Sequence, residues 1–248
     1  MNDNKSVDKI LRILELISKN PNGLTLSQIS RELNIPKSTA FDFLQALYKA
    51  DAVYYKDEIS KRYVIGSKIY AIGQAYQKNS SLITVCKPIV RNLGNKYGNL
   101  LIITKRVDNN IVYVHKYEND ESKNATFEIG GSISFLHSNS IGKCYLAFDK
   151  YFQNYKIPEF ELVTPYTVIR QEELEGQIEV ARQKGYSEDY KEEDVNYKSL
   201  SFPIYNFESR CCGALTYKAP YDFEFTDELK DDLLKASMTI SFKLGYKK

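Results

Sequence analysis

The chain of 248 residues contains no tryptophan, two histidines, two methionines and four cysteines. Two histidines are too few for a histidine-based metal site. His115 falls inside a β-type run and His137 just before a helix, and a lone histidine in such a place is ordinarily a structural hydrogen bonder. Cys86, Cys144, Cys211 and Cys212 show no CxxC or metal-ligand spacing. The adjacent pair is badly placed to bridge itself, so reduced, structural thiols are expected. No apolar run approaches the roughly 20 residues of a membrane helix, and the opening "MNDNKSVD" lacks the apolar stretch of a signal peptide. The expected compartment is the cytoplasm. A phosphate loop is also missing. "SIGKC" has His137 where the loop needs its first glycine and Cys144 where it needs Ser or Thr. Acidic "KEEDVN" reads as a solvated loop rather than a metal cluster. With no catalytic constellation left, no enzyme activity, metal or cofactor is expected.

Charge of one sign is scarce too. The formal net charge is +2, but residues 1–80 hold 12 Lys+Arg against 8 Asp+Glu, while the rest of the chain is slightly acidic. A mildly basic first third suits a nucleic-acid-binding domain without proving one.

The first third has the periodicity of three short helices and a hairpin. Val7, Ile10, Leu11, Leu14 and Ile17 recur at helical spacing, with Ser6 as a cap, so the pattern predicts a helix over residues 7–19. "NPNG" ends it. Thr25 and Gln28 have capping-box spacing ahead of a second helix near Leu26–Leu33, and Leu24 and Ile29 are placed to staple its entry. In "IPKSTAFDFLQAL", Pro36 fits the first turn of a third helix. Ala40, Phe43, Leu44 and Leu47 should face inward, leaving Lys37, Ser38, Thr39, Phe41, Asp42 and Gln45 outward. Two β-rich runs around "DEIS" then predict a wing at Ala52–Ile65. Helix, helix, helix, wing is a winged helix-turn-helix. Short polar side chains at the start of its third helix suit base edges and phosphates. The expected DNA-contacting set is Thr25, Ser27 and Gln28 on the second helix, Lys37, Ser38, Thr39, Phe41 and Asp42 on the third, and Arg62 on the wing.

A helix follows at residues 67–80 as a linker, with Ile69, Ile72 and Tyr76 along one stripe that would pair two copies. Residues 81–248 read as a second domain: a helix to about Gly98, a hairpin around "DNN", a strand "ATFEI", a helix from "SNSIGKCYLAF", another stopped by Gly185, a hairpin around "ESR", and a closing helix capped by Thr226. Strand pairs separated by helices predict an α/β (α+β) domain on a mainly antiparallel sheet.

"SVDKILRILELI", "GLTLSQISRELNIPKSTAFDFLQAL", "RYVIGSKIYAIG", "GGSISFLHSNSIGKCYLAF" and "ARQKGYSEDYKEE" followed by "SLSFPI" together resemble the IclR family of bacterial transcriptional regulators over nearly the whole chain. The resemblance implies a winged DNA-binding domain at 1–66, a linker helix at 67–80 and a GAF-like effector-binding domain at 81–248. It further implies homodimers or dimers of dimers, double-stranded operator DNA and a small-molecule effector. Its effector positions fall on Ser140, Ile141 and Gly142 in the helix start, Asp189, Ser199, and Thr216 and Lys218 on the last strand. Ser199 replaces the usual cysteine, Lys218 a small hydroxyl residue, and Asp42 the usual basic residue of the recognition helix.

The residues themselves add chemistry. Thr216 and Lys218 share one strand face, and helix-start N–H groups at Ser140–Gly142 favour an anion. A carboxylate-bearing metabolite on Lys218 is the expected effector, with an Asp189–Lys218 ion pair as the alternative. A rival reading of the whole makes the winged domain a protein-interaction module beside a scaffold.

Overall fold

The computed structural model describes residues 5–79, 81–118, 127–152 and 154–247. The chain divides into two compact units, Met1–Asn79 and Ser80–Lys248.

The first unit runs α1 (Lys5–Ser18), α2 (Leu26–Glu32), α3 (Lys37–Lys49), β1 (Val53–Tyr55), β2 (Tyr63–Ile65) and α4 (Ser67–Asn79). Helix α1 begins before Ser6, which lies within its first turn rather than capping it. Its buried line is Ile13 and Ile17, while Val7 and Leu11 are exposed. Thr25 caps α2 as its spacing demands: its Oγ1 accepts from Gln28 N, and Thr25 N donates to Gln28 Oε1 at 2.9 Å. Leu24 and Ile29 are both buried in the same core. Pro36 precedes α3 instead of entering it. Its ψ of 140° is extended, and its carbonyl accepts from Ala40 N. Ala40, Leu44 and Leu47 then join Ile13, Ile17 and Ile29 in the core. The wing pairs Val53 with Ile65 and Tyr55 with Tyr63. In α4, Ile69 packs against this core and so leaves the free stripe expected of it, whereas Ile72 is exposed. Tyr76's side chain lies outside what is described.

The second unit runs α5 (Ser81–Tyr97), β3 (Leu100–Val107), β4 (Asn110–Tyr117), α6 (Ser140–Phe148), α7 (Gln171–Lys184), β5 (Ser187–Tyr190), β6 (Tyr197–Tyr205), β7 (Cys211–Pro220) and α8 (Asp227–Lys243). Its sheet has the order β4-β3-β7-β6-β5, with every neighbouring pair antiparallel. Alternation divides each strand between two cores. Leu101, Ile103, Phe202, Leu215 and Tyr217 pack with α5 and α8. Leu100, Ile102 and Ala214 pack with α6 and α7. The functional residues of β6 and β7 lie on this second face.

The expected strand "ATFEI" does not form where it is described. Phe127–Ile129 are irregular; Ala125 and Thr126 lie outside the described residues. Gly130 at φ 94° turns the chain, and Gly131 and Ile133 reach the β4 edge instead, with Gly131 O accepting from Tyr113 N at 2.9 Å. Conversely, β5 was not anticipated. Its buried positions are Ser187 and Asp189, so no apolar alternation marked it.

Candidate functional site

Two surfaces hold the residues singled out by sequence, one in each unit. On the first, Lys37, Ser38, Phe41 and Asp42 are exposed on α3 and Thr39 is half-buried. An i, i+3 step to Phe41 and an i, i+4 step to Asp42 put both on the helix face of Ser38. Ser27 is exposed on α2, but Thr25 and Gln28 are engaged with each other in the capping box. Arg62 is not a free wing cation. Its guanidinium donates to Gly23 O at 2.9 Å and ties the wing to the turn before α2.

The second surface is a cavity of about 380 Å³ in the second unit. Ile141, Ser199, Thr216 and Lys218 line it, and these come from α6, β6 and β7. Ser140, Gly142 and Asp189 do not line it. They stand behind the wall and hold it. Asp189 pairs in register with Ser199, Ser199 with Lys218, and Ser201 with Thr216, so the side chains form rows across the sheet face. Ser140 Oγ lies 2.6 Å from Ser199 Oγ and 2.8 Å from Ser201 Oγ, and Ser201 Oγ lies 2.7 Å from Thr216 Oγ1. Ser187 Oγ donates to Ser140 O at 2.6 Å. This buried chain of hydroxyls fixes α6 on the sheet and, through Ser199 and Thr216, presents two of its members to the cavity. Buried hydroxyls cost free energy unless they bond, and these satisfy one another.

Gly142 has a steric role. A Cβ there would meet Leu136 O at 2.2 Å. Its N–H already donates to the N-cap Asn139 Oδ1 at 2.7 Å, so it is not an open donor for an anion as expected.

Asp189 does not pair with Lys218. Its Oδ1 accepts from Glu192 N at 2.8 Å, and its Oδ2 accepts from Ser199 Oγ at 3.4 Å. Burial pushes its carboxyl up to about 7, more than the nearby Lys143 charge lowers it. Lys218 Nζ instead donates to Glu193 Oε2 at 2.6 Å. The free lysine on which the carboxylate effector was predicated is therefore already neutralised. "KEEDVN" is likewise not a merely solvated loop: Glu192 is buried against Lys143 at 2.6 Å, and Glu193 and Asp194 line the cavity. Tyr113, Phe127 and Phe135 complete the wall. Sequence reasoning missed all of these, because Tyr113 read as one more strand residue and Glu193 as one more surface charge.

A second hollow of about 570 Å³ lies along α7 and β5 and reaches Lys143 and Glu192; none of the expected effector residues lines it. Among the described residues no group of His, Cys, Asp and Glu could hold a metal, and no helix is long and apolar enough to cross a membrane.

A winged helix-turn-helix joined in one chain to an antiparallel-sheet unit that encloses a cavity is the architecture of a DNA-binding transcriptional regulator with a second domain. Residues 74–242 match the C-terminal domain model of the bacterial transcriptional regulator IclR, and residues 6–57 match the IclR helix-turn-helix domain. The chain belongs to the IclR family of bacterial transcriptional regulators and carries that family's DNA-binding helix-turn-helix domain. It is 26% identical to an uncharacterised HTH-type transcriptional regulator of Haemophilus influenzae, over 98% of this chain and 94% of that one. It is also 26% identical to the HTH-type transcriptional regulator KdgR of Dickeya chrysanthemi, over 97% and 80%. Among solved structures, the Thermotoga maritima IclR superposes with a TM-score of 0.80 at 25% identity, covering 98% of this chain and 99% of that one. An IclR homologue from Microbacterium hydrocarbonoxydans, complexed with 4-hydroxybenzoate, shares the fold with a TM-score of 0.84 at 18% identity, covering 96% and 98%.

Proposed function

We propose that this chain controls transcription by laying α3 in the major groove of an operator and by reading an effector in the cavity between α6 and β7. The observation that carries the first half is the free face of α3, where Lys37, Ser38, Phe41 and Asp42 are exposed next to the half-buried Thr39 while Ala40, Leu44 and Leu47 anchor the helix from behind. Lys37 supplies a phosphate contact, and Ser38, Thr39 and Asp42 supply short groups able to bond base edges. Thr25 and Gln28 orient α2, and Ser27 is the α2 residue open to the backbone of the duplex. The protein works in the cytoplasm, as a regulator and not an enzyme.

The functional unit is a homodimer or a pair of dimers. Ile72 on α4 is more than half exposed, an apolar side chain suited to burial against a second copy. A two-fold protein then reads two half-sites about one helical turn apart. Effector binding regulates only if the two conformations of the protein bind the effector with different affinity.

A gel shift of the full chain on its own upstream promoter fragment tests the reading. Affinity should fall steeply with salt, since phosphate contacts release counterions. Salt-independent binding, or none, would favour a protein partner for the winged unit.

A further inference from the structure

The wall of the cavity carries more negative than positive charge. Glu128, Glu193 and Asp194 line it against a single lysine, Lys218. That lysine is spent inside the fold, because its ammonium donates to Glu193 at 2.6 Å, and both side chains are mostly buried. Burial alone would lower the lysine's affinity for its proton, but the carboxylates of Glu193, Asp189 and Asp194 outweigh it and hold Lys218 in the charged form. Among the described residues no ion pair engages Glu128 or Asp194. Asp194 Oδ1 accepts from Asn196 N at 2.9 Å, within its own loop.

A carboxylate entering this cavity meets a neutralised lysine and a surplus of like charge. To reach Lys218 it must displace Glu193, which is tethered in the 191–196 loop and stays beside it as a repelling charge. A cation meets the opposite field. It also meets an aromatic wall, since Tyr113 and Phe127 line the cavity with their rings stacked at 4.3 Å, beside Ile102 and Ile141. Aromatic faces attract cations as well as apolar surface. Lys116, which reaches the Phe127 ring, is neutralised by Glu118 at 2.9 Å and does not line the cavity.

We infer that the effector of this regulator carries a protonated amine or guanidinium on a small apolar or aromatic body, and that Glu193 sets this preference by occupying Lys218. The inference rests on the reading of this cavity as the effector pocket. It is tested by titration calorimetry of the full chain at neutral pH and fixed ionic strength, with the isosteric probes benzylamine and benzoate, and with agmatine and 4-hydroxybenzoate beside them. Benzylamine should bind at least about tenfold tighter than benzoate. In Glu193→Gln, Lys218 is released and one carboxylate is lost, so benzoate should gain about tenfold or more while benzylamine weakens. A far-UV circular dichroism spectrum of that variant equal to wild type reports an intact fold. Benzoate binding the wild-type chain as tightly as benzylamine, or no measurable benzylamine binding, overturns the inference. If carboxylate binding to the wild-type chain is abolished by Ile141→Trp, the pocket reading stands and the charge assignment alone falls. A probe whose affinity is unchanged by both Glu193→Gln and Ile141→Trp binds elsewhere, and that outcome defeats the pocket reading itself.

Discussion

On α3 the side chains offered for function are exposed, with Thr39 half-buried, and lie within six positions of one another, whereas in the second unit Ser140, Asp189, Ser199, Ser201 and Thr216 come from α6, β5, β6 and β7 and are all buried. The proposed recognition helix keeps its outward residues apart from the core that holds it, so each can change without loosening the fold. Ser199 and Thr216 line the cavity and are bonded to Ser140 and Ser201 behind it, so a change at any of them reaches the fold. The difference teaches where function can be separated from stability in this molecule and where it cannot.

The harshest way to break that comparison is to strike the support of the pocket. Lys143 is 2% exposed, and its Nζ donates to Glu192 Oε1 at 2.6 Å and Gln177 Oε1 at 2.8 Å. Lys143→Ala leaves a buried carboxylate without its cation and should cost about 3–5 kcal/mol in urea denaturation. The double variant Lys143→Met, Glu192→Gln removes both charges and should recover most of the loss. An unfolding midpoint for Lys143→Ala equal to wild type would mean that the pair contributes nothing.

Asp189 gives the next largest effect, and it depends on pH. Burial raises its folded carboxyl to about 7, against 3.8 for the ordinary side chain. Between those values the folded state keeps a proton that the unfolded chain has released. Its contribution to stability is therefore fully present in acid and is lost as pH rises from about 4 through 7. Asp189→Asn preserves an oxygen for the Glu192 N–H and has no proton to lose. It should flatten the stability profile and exceed wild type by on the order of 2 kcal/mol at pH 8. Parallel profiles for the two proteins between pH 5 and pH 8 would show that Asp189 does not titrate there.

Ser140→Ala takes the hub from the hydroxyl chain and leaves Ser199 and Ser201 short of a partner. A cost of about 1–2 kcal/mol is expected in thermal melting, together with a weakened effector response. A melting temperature within error of wild type would show that water replaces the hydroxyl.

Lys37→Ala and Thr39→Ala should change stability least, within about 0.5 kcal/mol, while weakening operator binding. For Lys37→Ala the salt dependence of binding should drop by about one phosphate contact. Wild-type affinity in both variants would move the recognition surface off α3, and a large loss of stability would erase the contrast drawn above.

The parts legible in the sequence are those whose cause is local. Thr25 and Gln28 meet because they lie three positions apart at a helix start. Thr226 caps α8 by accepting from Leu229 N, and Gly185 stops α7 at φ 82°, each by backbone rules that act within one turn. The two hairpins show in their alternation. Local chemistry also misplaced Pro36 by one position and read Ser6 as a cap, because the same residue types suit the first turn and the residue before it. The pocket was legible only as a place: Ile141, Ser199, Thr216 and Lys218 do meet at one cavity. Its electrostatics were not. Glu193 looked like one of several acids in a polar run, and nothing in "KEEDVN" says which carboxylate finds Lys218 and which finds Lys143.

Taken alone, the sequence determined the order of the helices and of the strands other than β5 and the "ATFEI" run, the caps of α2 and α8, the core face of α3 and with it the outward Lys37, Ser38, Phe41 and Asp42. Periodicity and capping are interactions between residues a few positions apart, so a linear reading contains them. Only the tertiary structure decided that Arg62 folds back on Gly23, that Ile69 belongs to the first core, that Asp189 stands behind the pocket wall, and that Lys218 takes Glu193 as its partner. Those outcomes turn on which distant strands pair and in what register, and a charge is free or spent according to the neighbour that register brings to it.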